Sequence, residues 1–410
     1  MILILLIMSG VGFGQTLSLD ECVKLALRNN PDVQKSEFTL RQSQISTQQA
    51  WSALYPGISA SASTSNSGPF VSDMQDEWNW NIGGGVSQQF YRPGMYSGIS
   101  LARERMISSV YSDLSLKDQI RTSVERLYFE ILASDTTIGV YRANIKLSDE
   151  QITKMERMVE LGLKRQSDLL KSKVQRGTFE AQLIREMESQ ASTKRSLNIM
   201  MGRDPNSDLS IEPFDVEEIS VPDYATAYEM MLEYNPTIKY RKSHIRVQQL
   251  SHRISKEAFL PSVSGSYSYS QSNDIYSGST HDNDQVSLRL SLDIFDGFTK
   301  RQNMQSAQLN LDEARLDYEA SLRDLDQALS NQYRALETQN QLILIHQTNL
   351  ASARQDLEVV SQQYDAGFSS ILDLMDAQLS VLQSETNLLQ DLYTRKQIEA
   401  EIRRLIGEQQ

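Results

Sequence analysis

Cysteine is almost absent from this chain: Cys22 is the only one in 410 residues. An internal disulfide is therefore impossible, and so is a thiolate metal cluster. Long apolar runs are missing too. The uncharged opening Met1–Gln15 contains the run Ile2–Met8, far short of the roughly 20 residues a membrane-spanning helix needs, and no later segment could span a membrane as a helix. Basic residues are outnumbered 53 to 40, for a formal charge of −13, which argues against nucleic acid or anionic lipid headgroups as the main partner. The four histidines, His244, His252, His281 and His346, are scattered, and none stands at metal-ligand spacing from a carboxylate. Gly83-Gly84-Gly85 has no lysine after it and opens no helix, which speaks against a phosphate loop. With no nucleophile elbow and no paired acid–base signature, neither catalysis nor a cofactor is expected.

The small residues Gly12 and Gly14 fit a signal-peptidase site, with residues 1–14 as a signal peptide removed before Gln15, although a basic leading segment is lacking. A buried N-terminal strand is the alternative. An exported chain of this length without disulfides must be held by packing or by oligomerisation.

What the chain does have is itself, twice. A shift of 205 residues, half of 410, carries Asn30-Pro31 onto Asn235-Pro236, Pro56 onto Pro261 and Phe90 onto Phe295. It also carries Gly162 onto Gly367, Asp168-Leu169 onto Asp373-Leu374 and Gly202 onto Gly407, with no gap. Two copies are too few for a solenoid, so one fold used twice within a pseudosymmetric chain is expected. The halves are 15–202 and 223–407, joined by Arg203–Pro222, which carries Pro205, Pro213 and Pro222, shows no apolar period and reads as a surface linker.

Each half reads helix, helix, strand, strand, very long helix, long helix. Leu19–Arg28 is amphipathic, and Asn29-Asn30-Pro31 closes it and opens a second helix that Pro56-Gly57 stops. Tyr224–Tyr234 and Pro236–Leu260 repeat the pattern before Pro261. Two hairpins of period-two alternation follow, 57–91 and 262–295. In Val263–Ser270 one face is valine, glycine and tyrosine and the other all serine. Leu288, Leu290, Leu292 and Ile294 oppose Ser287, Arg289, Ser291 and Asp293. Ile58–Ser65 and Trp78–Ile82 alternate likewise, but the latter is out of step with the second half. A bulge or slip near Gly83-Gly84-Gly85 would account for that.

The helical hairpins, 94–202 and 298–407, dominate. From Gly94 to about Glu160 and from Phe298 to Gln363 there is no proline and almost no glycine, enough for helices roughly 100 Å long. Val124, Ile131, Ile138, Ile145, Ile152 and Val159 form a seven-residue ladder. Leu322, Leu329, Leu336, Ile343, Leu350, Leu357 and Tyr364 form another, whose last six rungs sit at the 205 shift from the first. In a chain that is 40% hydrophobic, six preset positions would all be apolar with a chance of roughly 0.004. Such a repeat demands helices packed side by side as coiled coils. Glycine turns at Gly162 and Gly367 lead into the return helices Ser167–Met201 and Ile371–Ile406, ended by Gly202 and Gly407.

Four amphipathic strands cannot close a barrel, and an open sheet in a bilayer would leave its edge backbone groups unpaired. Several chains must then contribute strands to one wall, with tyrosine, tryptophan and leucine towards lipid and serine towards a wet lumen. A sandwich with one wet face is the alternative, but no further strands exist to build a second sheet. The long helices are too polar for lipid and must stand in water. A membrane barrel continued by an aqueous helical barrel is a conduit.

This organisation resembles the TolC family of outer-membrane efflux and secretion channels from about Leu17 to the C-terminus. The tandem halves, the stop prolines Pro56 and Pro261, and the stretch Tyr364-Asp365-Ala366-Gly367-Phe368-Ser369-Ser370-Ile371-Leu372-Asp373-Leu374-Met375-Asp376-Ala377-Gln378 carry the likeness. The resemblance implies a mainly helical fold with a small membrane β part, and a homotrimer with a β-barrel in outer-membrane lipid and an α-barrel in the periplasm of a Gram-negative bacterium. It implies an exit duct for a tripartite efflux pump or a type I secretion system, partnered by a periplasmic adaptor and an inner-membrane transporter. It puts the family's selectivity aspartates on Asp373 and Asp376, and its closing network on Tyr364 and Asp168. Ser369 stands where the family archetype has an arginine. Tyr267, Tyr269, Leu288, Leu290 and Leu292 are the expected lipid-facing residues. Solvated helix-start acids are the plainer account of Asp373 and Asp376. An exported coiled-coil adaptor or structural protein is the rival function, though neither explains the serine-lined strands.

Overall fold

A computed structural model describes residues 16–66, 78–213, 221–273 and 279–407; the expected signal peptide, 1–14, lies outside the described residues. In chain order the elements are α1 (Leu19–Asn29), α2 (Pro31–Ser52), β1 (Gly57–Asn66), β2 (Trp78–Tyr91), α3 (Met95–Glu160) and α4 (Gln166–Met200), then α5 (Tyr224–Tyr234), α6 (Pro236–Glu257), β3 (Ser262–Asn273), β4 (Thr280–Ser291), α7 (Thr299–Asp365) and α8 (Ile371–Ile406). The second six repeat the first six in kind and order. No described helix is long and apolar enough to cross a membrane.

Two compact units form, and neither is one sequence repeat: one comprises Met1–Ser36, Leu114–Asn235 and Arg323–Gln410, the other Glu37–Asp113 and Pro236–Leu322. Each draws on both halves of the chain.

In the first unit, α1 starts on a capping box. Ser18 Oγ accepts from the Glu21 N–H at 3.3 Å, and the Glu21 carboxylate accepts from the Ser18 N–H at 2.9 Å. Its apolar face enters a core that includes Val124, Tyr128, Phe129, Ile131, Leu197 and Met201. Cys22 is part of that core, and burial pushes its thiol up to about 11, so it is a packing residue and not a reactive one. The segment after Gly202 departs from the expected surface linker. Leu209 and Ile211 are buried in the core, and Ile211 bridges Leu17 in parallel. The Leu17 N–H donates to Ser210 O at 2.9 Å and the Glu212 N–H to Leu17 O at 2.9 Å. Two apolar residues in a short extended piece are too few to show a period, although they suffice to anchor it.

The sequence landmarks shared by the halves are joints. Asn30 Nδ2 donates to the Met200 carbonyl at 2.9 Å, and Asn235 Nδ2 to the Leu405 carbonyl at 2.8 Å. Each asparagine thus satisfies a carbonyl in the last turn of a return helix that has no partner within the helix. Gly202 and Gly407 end those helices with φ of 66° and 70°. A Cβ on Gly202 would lie 2.5 Å from Asn29 O, and one on Gly407 2.7 Å from the Tyr234 carbonyl carbon. Both the left-handed turn and the close approach require glycine. On the seven-residue ladders Val124, Ile131 and Leu329 are fully buried, and Ile138 and Ile343 nearly so. No rung is exposed.

In the second unit the strands form one antiparallel sheet in the order β1-β2-β3-β4. Its register is Ser59↔Gly85, Gly85↔Ser268 and Ser268↔Gln285 across one row. Directly opposed residues share a face. One face therefore carries Ile58, Ile82, Val86, Tyr267, Leu288 and Leu290, and the other a field of serine, asparagine and glutamine. The register runs unbroken through Gly83-Gly84-Gly85, which corrects the expected position of the slip. The irregularity lies between Gln89 and Tyr91. There Phe90 is the extra residue, and its ring lies over Gly265, where a Cβ would come within 2.7 Å of Phe90 Cε2. Below the sheet, Ser97 Oγ (α3) donates to Glu257 Oε1 at 2.7 Å, and Arg241 (α6) pairs with Asp317 (α7) at 3.4 Å.

Candidate functional site

Two features of the fold could do chemistry: the turns where the long helices reverse, and the two-faced sheet. Each turn reverses on a glycine in the left-handed region, Gly162 at φ 71° and Gly367 at φ 83°. The hydrogen bonding repeats. The Gly162 and Leu163 N–H groups donate to Val159 O and Met158 O at 3.0 and 2.8 Å, and the Gly367 and Phe368 N–H groups to Tyr364 O and Gln363 O at 3.1 and 2.8 Å.

The helices that follow are capped differently. Ser370 closes a capping box on α8. Its hydroxyl accepts from the Asp373 N–H at 3.2 Å, and Asp373 Oδ2 accepts from the Ser370 N–H at 2.8 Å, from Ser370 Oγ at 2.7 Å and from Ser369 Oγ at 3.1 Å. These bonds, led by the Ser370 hydroxyl, hold the exposed Asp373 carboxyl below its usual range. Asp376 is exposed one turn on, on the same helix face. At the other turn Arg165 is the N-cap residue and makes no side-chain cap. Asp168, the counterpart of Asp373, accepts only a long hydrogen bond from Ser167 Oγ, at 3.4 Å, among the described residues.

Tyr364 is buried among Ile152, Met155, Leu169, Ile371 and Leu374. Its hydroxyl is buried with no hydrogen-bond partner among the described residues. Burial first, then the charges of Asp168 and Asp365, raise its pKa. Tyr364 and Asp168 therefore lie within electrostatic reach of each other and are not hydrogen-bonded. Lys164 is the residue that sequence reasoning missed. Its Nζ donates to the Tyr364 carbonyl at 3.1 Å and lies 3.8 Å from the centre of the Tyr364 ring. A signal for it existed, because Lys164 plus 205 is Ser369. The cation missing from one copy of the repeat is present at the equivalent place in the other.

Polar bonds tie the hairpins along their length. Lys173 pairs with Glu156 at 2.7 Å and Arg176 with Asp149 at 2.7 Å between α3 and α4, and Arg354 with Glu385 at 3.1 Å between α7 and α8. His346 Nδ1 meets Asp391 Oδ2 at 2.5 Å, a pairing of residues far apart in the chain that sequence spacing did not disclose. No group of three or more histidine, cysteine, aspartate or glutamate residues among the described ones could hold a metal ion.

On the sheet, Tyr267 and Tyr269 are about two-fifths exposed (45% and 43%), while Leu288 and Leu290 reach 76% and 70%. Leu292, exposed too, lies one residue past the end of β4. With Ile58, Ile82 and Val286 they make a large bare apolar face. A face of that kind marks an interaction surface.

A family model described as "Outer membrane efflux protein" matches residues 22–203 and again 227–408, the same 205-residue offset. The chain belongs to the outer membrane efflux protein family. As a member of that family it is an outer-membrane efflux channel protein with a periplasmic helical part. It is 18% identical over 377 residues to "Probable outer membrane lipoprotein SilC" of Salmonella typhimurium, covering 90% of this chain and 81% of that protein. It is 20% identical over 370 residues to "Outer membrane protein TolC" of Vibrio cholerae, covering 87% and 83%. The crystal structure of CusC superposes with a TM-score of 0.84 at 16% identity, over 97% of this chain and 95% of that one. At that identity the likeness carries the fold.

Proposed function

We propose that three copies of this chain form one continuous duct, a β-barrel in the outer membrane above an α-barrel in the periplasm. In this reading the duct is the exit of an efflux pump or type I secretion system, fed by an inner-membrane transporter through a periplasmic adaptor. The observation that carries this reading is the sheet. Its two outer strands, β1 and β4, each pair on one side only, one face is apolar and bare apart from Asp282 and Asp284 towards the β3–β4 turn, and the other is hydroxyl-lined. Strands of 10 to 14 residues are long enough to span, since a tilted transmembrane strand needs about 9–11. A sheet with open edges is excluded from lipid, so β4 of one copy must pair with β1 of the next. Two copies would give an eight-stranded barrel of about the size that side chains fill, and three leave an aqueous lumen.

Within that duct, Asp373 and Asp376 from three copies form a ring of carboxylates at the periplasmic mouth, where cations concentrate. Lys164 and Tyr364 hold the two hairpin tips of each copy together in the closed state, with Asp168 acting on Tyr364 only through its charge. Tyr267, Tyr269, Leu288, Leu290 and Leu292 meet lipid. The alternative of a periplasmic adaptor leaves the apolar sheet face and its open edges unexplained.

Extraction of the full chain tests the duct directly. A cross-linkable trimer that requires detergent and conducts ions in planar bilayers is the expected result. A detergent-independent monomer would overturn the reading.

A further inference from the structure

The polar face of the sheet is almost free of charge. The strand residues that share it are serine, asparagine, glutamine and glycine, with His281 at the far end and a single permanently charged side chain, Arg289. The acids of β4, Asp282 and Asp284, stand opposite Gln271 and Tyr269 and so belong to the other face. Arg289 stands opposite Ser264, which in turn stands opposite Gln89. It is exposed and makes no ion pair or side-chain hydrogen bond among the described residues. The nearest acid along the strand, Asp293, is already engaged by Lys300 at 3.3 Å. An unpaired guanidinium on a face that carries no carboxylate among the described strand residues is a donor fork with no acceptor there.

We infer that Arg289 forms an anion-binding ring inside the barrel, a site for multivalent oxyanions such as phosphorylated or polycarboxylate solutes. This rests on the duct proposed above, in which the serine face lines the lumen. The flanking residues of a closing β1 strand on that face are Gly57 and serines, again with no acid to neutralise the ring. Strands about 4.8 Å apart and tilted by about 40° give a twelve-stranded barrel roughly 24 Å across at the backbone. Arginine side chains from three sides would narrow that to about half, so neighbouring guanidinium groups stand roughly a Debye length apart. A monovalent anion meets one fork, whereas a chain of phosphates bridges two with bidentate, charge-assisted bonds. The ring therefore discriminates by anion valence, in a lumen whose remaining wall is neutral and hydroxylated.

The experiment uses the full-length protein in planar bilayers, in the D373A/D376A background so that the acidic mouth does not mask the effect. Inorganic tripolyphosphate is added to the extracellular side. A reversible block is expected, weakening as salt rises, with at least a tenfold loss of apparent affinity in Arg289→Gln and a partial loss in Arg289→Lys. Equal block in the parent and Arg289→Gln channels, or no block of a conducting parent, overturns the ring and leaves the duct standing. Absence of any conductance from the wild-type protein overturns the duct and the ring together. If Arg289→Gln fails to assemble, Arg289→Cys is treated with an impermeant thiol reagent, Cys22 being fully buried. Restoration of tripolyphosphate block by a cationic reagent and not by a neutral one supports the ring, and its failure overturns it.

Discussion

Lys164 reaches across 200 residues of chain to donate to the Tyr364 carbonyl at 3.1 Å, with its ammonium 3.8 Å above the tyrosine ring. One bond places a cation at the C-terminal end of α7, where the helix dipole favours it. The other is a cation–π contact, and both join the tips of the two hairpins. The phenol hydroxyl takes no part in either.

That geometry separates three substitutions. Lys164→Gln removes the charge and should destabilise the closed tip by about 1–2 kcal/mol per chain, raising single-channel conductance. Tyr364→Phe keeps the carbonyl and the ring face and deletes only a buried, unpartnered hydroxyl, so conductance should stay near wild type. Tyr364→Leu should fall between them. The opposite order, with Tyr364→Phe opening the channel and Lys164→Gln silent, would move the latch to the hydroxyl and Asp168.

The proposed ring of Asp373 and Asp376 makes a pH-dependent prediction. Asp373 is held below its usual value of 3.8 by the Ser370 hydroxyl, the Ser370 backbone and Ser369. Because the folded value is depressed, its charge and its capping contribution are present above 3.8 and are lost only as pH falls through the lower folded value. Block of the channel by multivalent cations should therefore persist at pH 4. Ser370→Ala should move the loss of block to higher pH, and Asp373→Ala with Asp376→Ala should abolish block while the trimer survives. Undiminished block in the double variant would leave the two residues as a cap and a solvated acid.

The sheet predicts opposite results at neighbouring positions. Val286→Arg, at the middle of β4, puts a charge on the bare apolar face and should cost about 2–4 kcal/mol per chain, so trimer recovered from membranes should drop sharply. Gln285→Arg lies on the hydroxyl face, opposite Ser268, and should assemble normally. Equal yields from the two variants would argue against a lipid-facing wall.

The paired asparagines predict matched losses. Asn30→Ala and Asn235→Ala each strip a donor from the end of a return helix, and each should lower stability by about 1–2 kcal/mol, read as a fall in the thermal dissociation temperature. Gly202→Ala should do more damage than either, since its Cβ would fall 2.5 Å from Asn29 O. A tolerated Gly202→Ala would mean that the joint can shift.

Much of this architecture is legible in the sequence. The 205-residue offset, the seven-residue ladders and the serine alternation are periodic, and period maps directly onto helix and strand geometry. They determined twelve elements in two equal sets, the buried rungs Ile138 and Ile343, and which strand residues share a face. The tertiary structure decided what period cannot carry. It set the parity slip at Phe90, because an aromatic ring needed the space over Gly265. It buried Leu209 and Ile211, because an extended segment was needed beside Leu17. It set which side chains meet across the α7–α8 hairpin, pairing His346 with Asp391, and it brought Lys164 at one hairpin tip to Tyr364 at the other. Lys164 and Tyr364 belong to different hairpins, so their separation in sequence has no fixed relation to their separation in space, and only packing the two hairpins side by side makes them neighbours.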